Sequence, residues 1–123
     1  MVVPAEIRAE LVAHATAEAP NECCGLIVFS GDTAERYVPG RNKLASPYRY
    51  ELEIDPDVWF LEDEGFELAV FHSHPETQPI PSKTDQELSG LWGGRTFLIY
   101  GLKFDDLRAW RITRESVEPL PLI

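Results

Sequence analysis

His72-Ser73-His74-Pro75, followed by Ser82 and Asp85, places two of the chain's three histidines, a hydroxyl and a carboxylate within one short stretch. Histidines at i and i+2 of a strand point to one face, about 6.5–7 Å apart along the backbone, so both imidazoles can turn onto a single ion. A third ligand is then needed, and Asp85 is the nearest candidate. Two histidines and an aspartate leave the fourth position of a tetrahedral zinc open, which is the arrangement of catalytic rather than structural sites. The chemistry implied is zinc-assisted hydrolysis.

Such a cluster needs a strand that ends at His74 and a helix that begins at Ser82. Leu68 and Val70 share the period-two face of His72 and His74, and Pro75 ends the strand. Residues 75–81 hold three prolines and read as a stiff loop. Ser82-Lys83-Thr84-Asp85 opens a helix running to about Gly90, and its Ser-x-x-Asp spacing is a capping box in its own right. Both roles are compatible, because a serine and an acid in a first helical turn can cap backbone donors and still face a metal.

Upstream, Ile7, Leu11 and Ala15 recur at helical spacing, which predicts an amphipathic helix over 4–18 stopped before Pro20. The apolar run Cys23–Phe29 suits a buried strand, with Ser30-Gly31-Asp32 turning into a partner over Ala34–Pro39. After a loop at 40–47, Tyr48, Tyr50, Leu52 and Ile54 alternate as a half-buried strand would. Asp55-Pro56 then starts a short helix to about Gly65. Thr96–Tyr100, Leu107–Ile112 and Ser116–Leu120 read as strands. Helices alternating with strands early and strands clustering late predict an α/β or α+β fold, a mixed, curved sheet flanked by helices.

A length of 123 residues suits one domain over 1–123, and 44% hydrophobic residues argue for a folded core. The net charge of −10 disfavours nucleic acid as a partner. No stretch reaches the ~18 unbroken apolar residues of a membrane span, and the N-terminus lacks a signal-peptide layout, so a cytoplasmic protein is expected. Cys23 and Cys24 are neighbours and read as reduced core residues. His14 reads as a helix-edge residue without a role. Asn42 and Ser46 read as turn formers, with polarisation of a substrate backbone as the alternative.

The full spacing, His72-x-His74-x7-Ser82-x2-Asp85 with Asn21-Glu22-Cys23-Cys24-Gly25-Leu26 some fifty residues earlier, resembles the JAMM (MPN+) metalloprotease family. That family's pattern is a glutamate at the head of an early strand, then H-[S/T]-H with a following proline, and the serine and aspartate at these spacings. The resemblance implies that His72, His74 and Asp85 hold one zinc per chain. It makes Glu22 the general acid/base for the attacking water and Ser82 a residue that helps hold that water and the tetrahedral intermediate. Independently, a carboxylate beside apolar Cys23-Cys24-Gly25 should have its pKa raised by desolvation, which suits proton transfer. Glu76 is the fallback acid.

The P-x-E-C-C-G-L opening and compact length look more like stand-alone prokaryotic members than like the eukaryotic ones. That likeness implies a peptidase or isopeptidase acting after the C-terminal Gly-Gly of a ubiquitin-like or sulfur-carrier protein, first of all one that releases cysteine or an amino-acid adduct in sulfur and cysteine metabolism. A prokaryotic deubiquitinase-like deconjugating enzyme and a non-catalytic MPN scaffold are the alternatives. The substrate tail is expected to bind as a strand added beside the sheet, fenced by the Pro75–Pro81 loop. Competing H-x-H chemistries lack their residues here: there is no P-C-x-x-C of the zinc deaminases and no H-E-x-x-H helix. A cupin-like jelly roll needs a histidine after His74, and the chain has none.

Overall fold

Ile7, Leu11 and Ala15 are buried as one stripe of α1 (Ala5–Glu18), as their spacing predicts. The computed structural model describes residues 1–123. The α1 stripe packs on one face of a six-stranded sheet, against Ile27 and Phe29 of β1 (Cys24–Ser30), Phe71 of β5 (Glu67–His74) and Leu98 of β6 (Phe97–Gly101). The opposite face carries Leu26, Val28, Leu68, Val70 and Ile99. Because both faces are covered, β1 reads as a continuous apolar run rather than an alternating one.

The remaining strands are β2 (Thr33–Pro39), β3 (Arg41–Asn42), β4 (Leu52–Glu53), β5 (Glu67–His74), β6 (Phe97–Gly101), β7 (Asp106–Ile112) and β8 (Val117–Leu120). The large sheet runs β2-β1-β5-β6-β7-β8, while β3 and β4 form a separate two-stranded ribbon. The β5–β6 pair is parallel and the other pairs of the large sheet are antiparallel, so the sheet is mixed as expected. Gly25 lies where β2 crosses closest, since a Cβ there would sit 2.5 Å from the Tyr37 hydroxyl.

Two expectations change. The predicted strand over Tyr48–Ile54 shrinks to Leu52–Glu53, paired with Arg41–Asn42. Its alternation reports a buried face all the same: Tyr50, Leu52 and Ile54 pack against the second core cluster, with Tyr50 on a loop whose backbone bonds to the Asn42 side chain. Pro56–Glu64 is a 3-10 helix, with the Asp55 carboxylate accepting the Asp57 N–H at 3.0 Å and Gly65 closing it at φ +96. No helix is long and apolar enough to cross a membrane.

Candidate metal centre

β5 lies inside the sheet between β1 and β6, and its period-two alternation sends Leu68, Val70, His72 and His74 to one face. The first pair enters the core; the second reaches the strand's carboxyl end, where α2 (Lys83–Leu88) begins. Ser82 is the N-cap of α2 and both halves of its capping box form. The Ser82 hydroxyl accepts the Asp85 N–H at 3.1 Å, and Asp85 Oδ2 accepts the Ser82 N–H at 2.9 Å. The box therefore aims the Asp85 carboxylate at the histidines.

The three side chains converge tightly. His72 Nε2 and His74 Nε2 are 3.2 Å apart, His74 Nε2 is 3.2 Å from Asp85 Oδ2, and His72 Nε2 is 3.3 Å from the same oxygen. A tetrahedron with ligands at about 2.0–2.1 Å from zinc has edges of about 3.3–3.4 Å, so the triangle fits that ion closely. His74 Nδ1 donates to the Gln78 carbonyl at 2.8 Å, which assigns the ring proton to Nδ1 and turns the Nε2 lone pair inward. Two imidazole nitrogens and a carboxylate oxygen facing one point are the donor set of a cation site, and these three residues form the chain's candidate metal cluster.

Distant residues hold the His74 partner in place. Trp110 Nε1 donates to the Pro79 carbonyl at 2.9 Å, and a Cβ on Gly101 would meet Pro79 Cδ at 2.8 Å. The 75–81 loop thus closes over a position that must be glycine, and Gln78 reaches back to His74. Ser73, between the two histidines, points the other way. Its hydroxyl accepts the Cys23 N–H at 2.9 Å and its own N–H donates to the Cys23 carbonyl at 3.0 Å. That double link, with Cys24 opposite His72 in the β1–β5 register, brings Glu22 to the cluster.

Glu22 is 4% exposed and its Oε1 has no hydrogen-bond partner. Desolvation pushes its pKa up to about 7, against the pull of positive charge on His72 and His74. Asp85 moves the other way. Burial alone would raise it, but positive charge on His72 and hydrogen bonds from His72, His74 and the Ser82 N–H together hold it well below the usual carboxylate range. Two carboxyls beside the same histidines are thereby shifted in opposite directions.

A groove of about 320 Å³ opens beside Asp85, lined by Tyr50, Leu52, Thr84, Leu88, Leu91 and Trp92 among others. Leu91 is 73% exposed on its rim. A second cavity, of about 330 Å³, lies by Asp32, Glu67 and Arg95 and shares no residue with the cluster.

Among the lesser residues, Glu76 is exposed and paired with Lys103 at 3.6 Å. His14 Nδ1 meets the Tyr37 hydroxyl at 2.6 Å. The Cys23 and Cys24 thiols are free, buried and pushed up to about 12 by desolvation, so they stay protonated. Asn42 spends its whole amide internally: Nδ2 donates to the carbonyls of Glu22 and Arg49, each at 3.0 Å, and Oδ1 accepts from Leu44 and Glu51, each at 3.1 Å. Nothing remains with which to polarise a substrate. The Ser46 carbonyl accepts the Glu22 N–H at 2.9 Å.

Residues 4–113 match the family model described as prokaryotic homologs of the JAB domain. The chain belongs to that family. Within this JAB-domain family, it is 36% identical over 109 residues to a desampylase of Haloferax volcanii, covering 77% of this chain and 76% of the relative. It is 34% identical over 95 residues to a CysO-cysteine peptidase of Mycobacterium tuberculosis, covering 72% of this chain and 65% of the relative. It is also 41% identical over 76 residues to tail tip assembly protein K of Escherichia phage N15, covering 62% of this chain and 31% of that protein. The match thus spans from about a third to just under two-thirds of the length of these last two relatives.

The solution structure of a Desulfitobacterium hafniense protein superposes with a TM-score of 0.81 at 28% identity, covering 99% of this chain and 90% of that one. A JAB1/MPN domain protein of Archaeoglobus fulgidus superposes at 0.66 with 18% identity, covering 99% and 96% of the two chains, which shows the shared MPN/JAB fold.

Proposed function

We propose that this JAB-domain chain is a zinc-dependent peptidase or isopeptidase that hydrolyses the bond after the C-terminal Gly-Gly of a ubiquitin-like or sulfur-carrier protein, releasing cysteine or another amino-acid adduct. The observation that carries the proposal is the convergence of His72 Nε2, His74 Nε2 and Asp85 Oδ2 at 3.2–3.3 Å beside a buried Glu22 with a pKa near 7. In this reading, the two histidines and Asp85 are the ligands. Bound there, zinc supplies Lewis acidity that polarises the scissile carbonyl and makes water nucleophilic near neutral pH.

The chain's own residues do the rest. Glu22, whose carboxyl is shifted toward neutral pH by burial, takes a proton from the attacking water and delivers it to the departing amine. Its burial keeps that proton from leaking to solvent. Ser82 contributes its hydroxyl at the helix N-cap, where it helps hold the water and the tetrahedral intermediate. Asp85, kept ionised, supplies the negative charge that balances the metal.

The groove sets the substrate. β5 is interior, so a tail cannot pair beside the histidine strand itself; the two-stranded β3–β4 ribbon offers backbone beside the groove, which its Leu52 lines. An extended tail laid along Leu52 runs toward Asp85, which lines the same groove. The relatives named for cleaving a CysO–cysteine bond and for desampylation support a carrier-protein substrate. A deconjugating role is the second reading, favoured by the desampylase and by a probable TtuB-protein conjugate cleaving protease of Thermus thermophilus that is 36% identical over 91 residues, covering 69% of this chain and 60% of that protein. A non-catalytic scaffold has no use for three converging ligand atoms beside an orphaned acid.

The test is incubation with two carrier conjugates, one ending Gly-Gly-Cys and one joined through Gly-Gly to a lysine side chain, with product masses read out. Cleavage of the first alone supports the cysteine-releasing role; cleavage of the second supports deconjugation. Equal cleavage of Val-Val tails, or rapid digestion of unstructured casein, overturns the carrier-protein assignment.

A further inference from the structure

His72 is held differently from His74. A metal-binding imidazole ordinarily has its second nitrogen hydrogen-bonded, which fixes the ring. His74 follows that rule through Gln78, whereas His72 Nδ1 is buried with no partner. Apart from the cluster itself, which its Nε2 faces, the His72 ring is held by an aromatic face. Tyr50 stacks on it at a centroid distance of 4.6 Å and an interplanar angle of 26°. Behind Tyr50 the stack continues through Trp92 at 6.3 Å and Trp59 at a further 6.4 Å, and Arg95 caps Trp59 at 4.8 Å while ion-paired to Glu62 at 2.6 Å.

Tyr50 sits on a loop with no regular secondary structure, so the place of its ring between His72 and Trp92 depends on how that loop's backbone is held. Asn42 supplies that hold. Its amide bonds to Arg49 O and Glu51 N, the residues on either side of Tyr50, and to the carbonyl of Glu22. One side chain thus registers the loop against the strand head that carries the proposed acid/base.

We propose that Tyr50 and Asn42 are positioning residues of the metal centre: Tyr50 fixes the His72 ring by stacking where a hydrogen bond is missing, and Asn42 locks the loop that presents Tyr50. The inference rests on the metal-site reading and goes beyond it, since neither residue belongs to the ligand set. A stacked face restrains ring tilt but leaves Nδ1 electronically untouched, so the ring, not the phenol oxygen, is what matters.

The experiment measures zinc affinity by competition with a chromophoric chelator, and the d–d spectrum of the cobalt-substituted protein, for the parent and for Tyr50→Leu, Tyr50→Phe, Asn42→Asp and the Tyr50→Leu/Asn42→Asp pair. Tyr50→Leu should weaken zinc about 10–100-fold, as loss of an orienting partner does, and alter the cobalt spectrum, while Tyr50→Phe restores both. Asn42→Asp, which loses the two amide donors, should shift both in the same direction. The double variant should be no worse than the worse single one, because both act through one ring. Should Tyr50→Leu not fold, Tyr50→Met takes its place, and Tyr50→Phe tests the ring by itself. Parent-like zinc affinity in a folded ring-less variant overturns the inference, as does a loss in Tyr50→Phe equal to that in Tyr50→Leu. A parent that binds no zinc overturns the metal-site reading beneath it, which a parent that binds tightly keeps separate.

Discussion

Replacing Glu22 by glutamine removes one ionisable group from the buried junction of α1 and β1, and its effect on stability should depend on pH in a direction that can be worked out. The folded-state pKa is about 7 against an ordinary 4.5. Below about pH 4.5 the carboxyl is neutral in both folded and unfolded chains and costs nothing. As pH rises from 4.5 to 7 the unfolded chain ionises freely while the folded one resists, so stability is lost across that window and the loss is complete above 7. A difference of about 2.5 units is worth about 3 kcal/mol at 1.36 kcal/mol per unit. Urea denaturation of metal-free parent and Glu22→Gln protein at pH 4, 6 and 8 measures it. The glutamine variant should gain on the parent by about 3 kcal/mol between pH 4 and pH 8, while turnover of a competent substrate falls about 10²–10⁴-fold. A parent–variant difference that stays flat from pH 4 to 8 refutes the desolvated carboxyl, and unchanged turnover refutes its role as proton carrier.

Asp85→Ala should strip the metal, read by elemental analysis of unchelated protein; full zinc retention in an Asp85→Ala/His72→Ala double variant would sink the ligand set. Ser73→Ala leaves the buried Cys23 N–H without its acceptor, which should cost about 1–3 kcal/mol in urea denaturation, and a neutral result would mean that the strands are registered by other contacts. Gly101→Val collides with Pro79 and should draw the Gln78 carbonyl from His74, lowering zinc affinity about 10–100-fold; an unchanged affinity by chelator competition would show that the loop does not orient the ring.

The histidine pair and the Ser82–Asp85 turn were legible because their geometry is local. A period of two puts His72 and His74 on one face whatever surrounds them, and a capping box fixes Asp85 within one turn. The placement of Glu22 was legible only through the family pattern, since it depends on the β1–β5 register and on Ser73, fifty residues away. Tyr50 was read as a strand residue because its alternation with Leu52 and Ile54 is real; alternation reports a face, and a loop pinned by one asparagine shows the same face as a strand. Trp110 and Gly101 carry no local sign of their part in holding the 75–81 loop, because their partners lie about thirty and twenty residues earlier.

The most direct measurement is zinc reconstitution with cleavage followed in the same sample. Chelator-stripped protein is titrated with zinc while the mass of a Gly-Gly-Cys carrier conjugate is monitored. Stripped protein should not cleave the conjugate, recovery should saturate at one zinc per chain, and His72→Ala should show neither binding nor recovery at that site. Cleavage that persists in metal-free protein, or zinc-dependent cleavage that survives loss of His72, would contradict the zinc-peptidase reading.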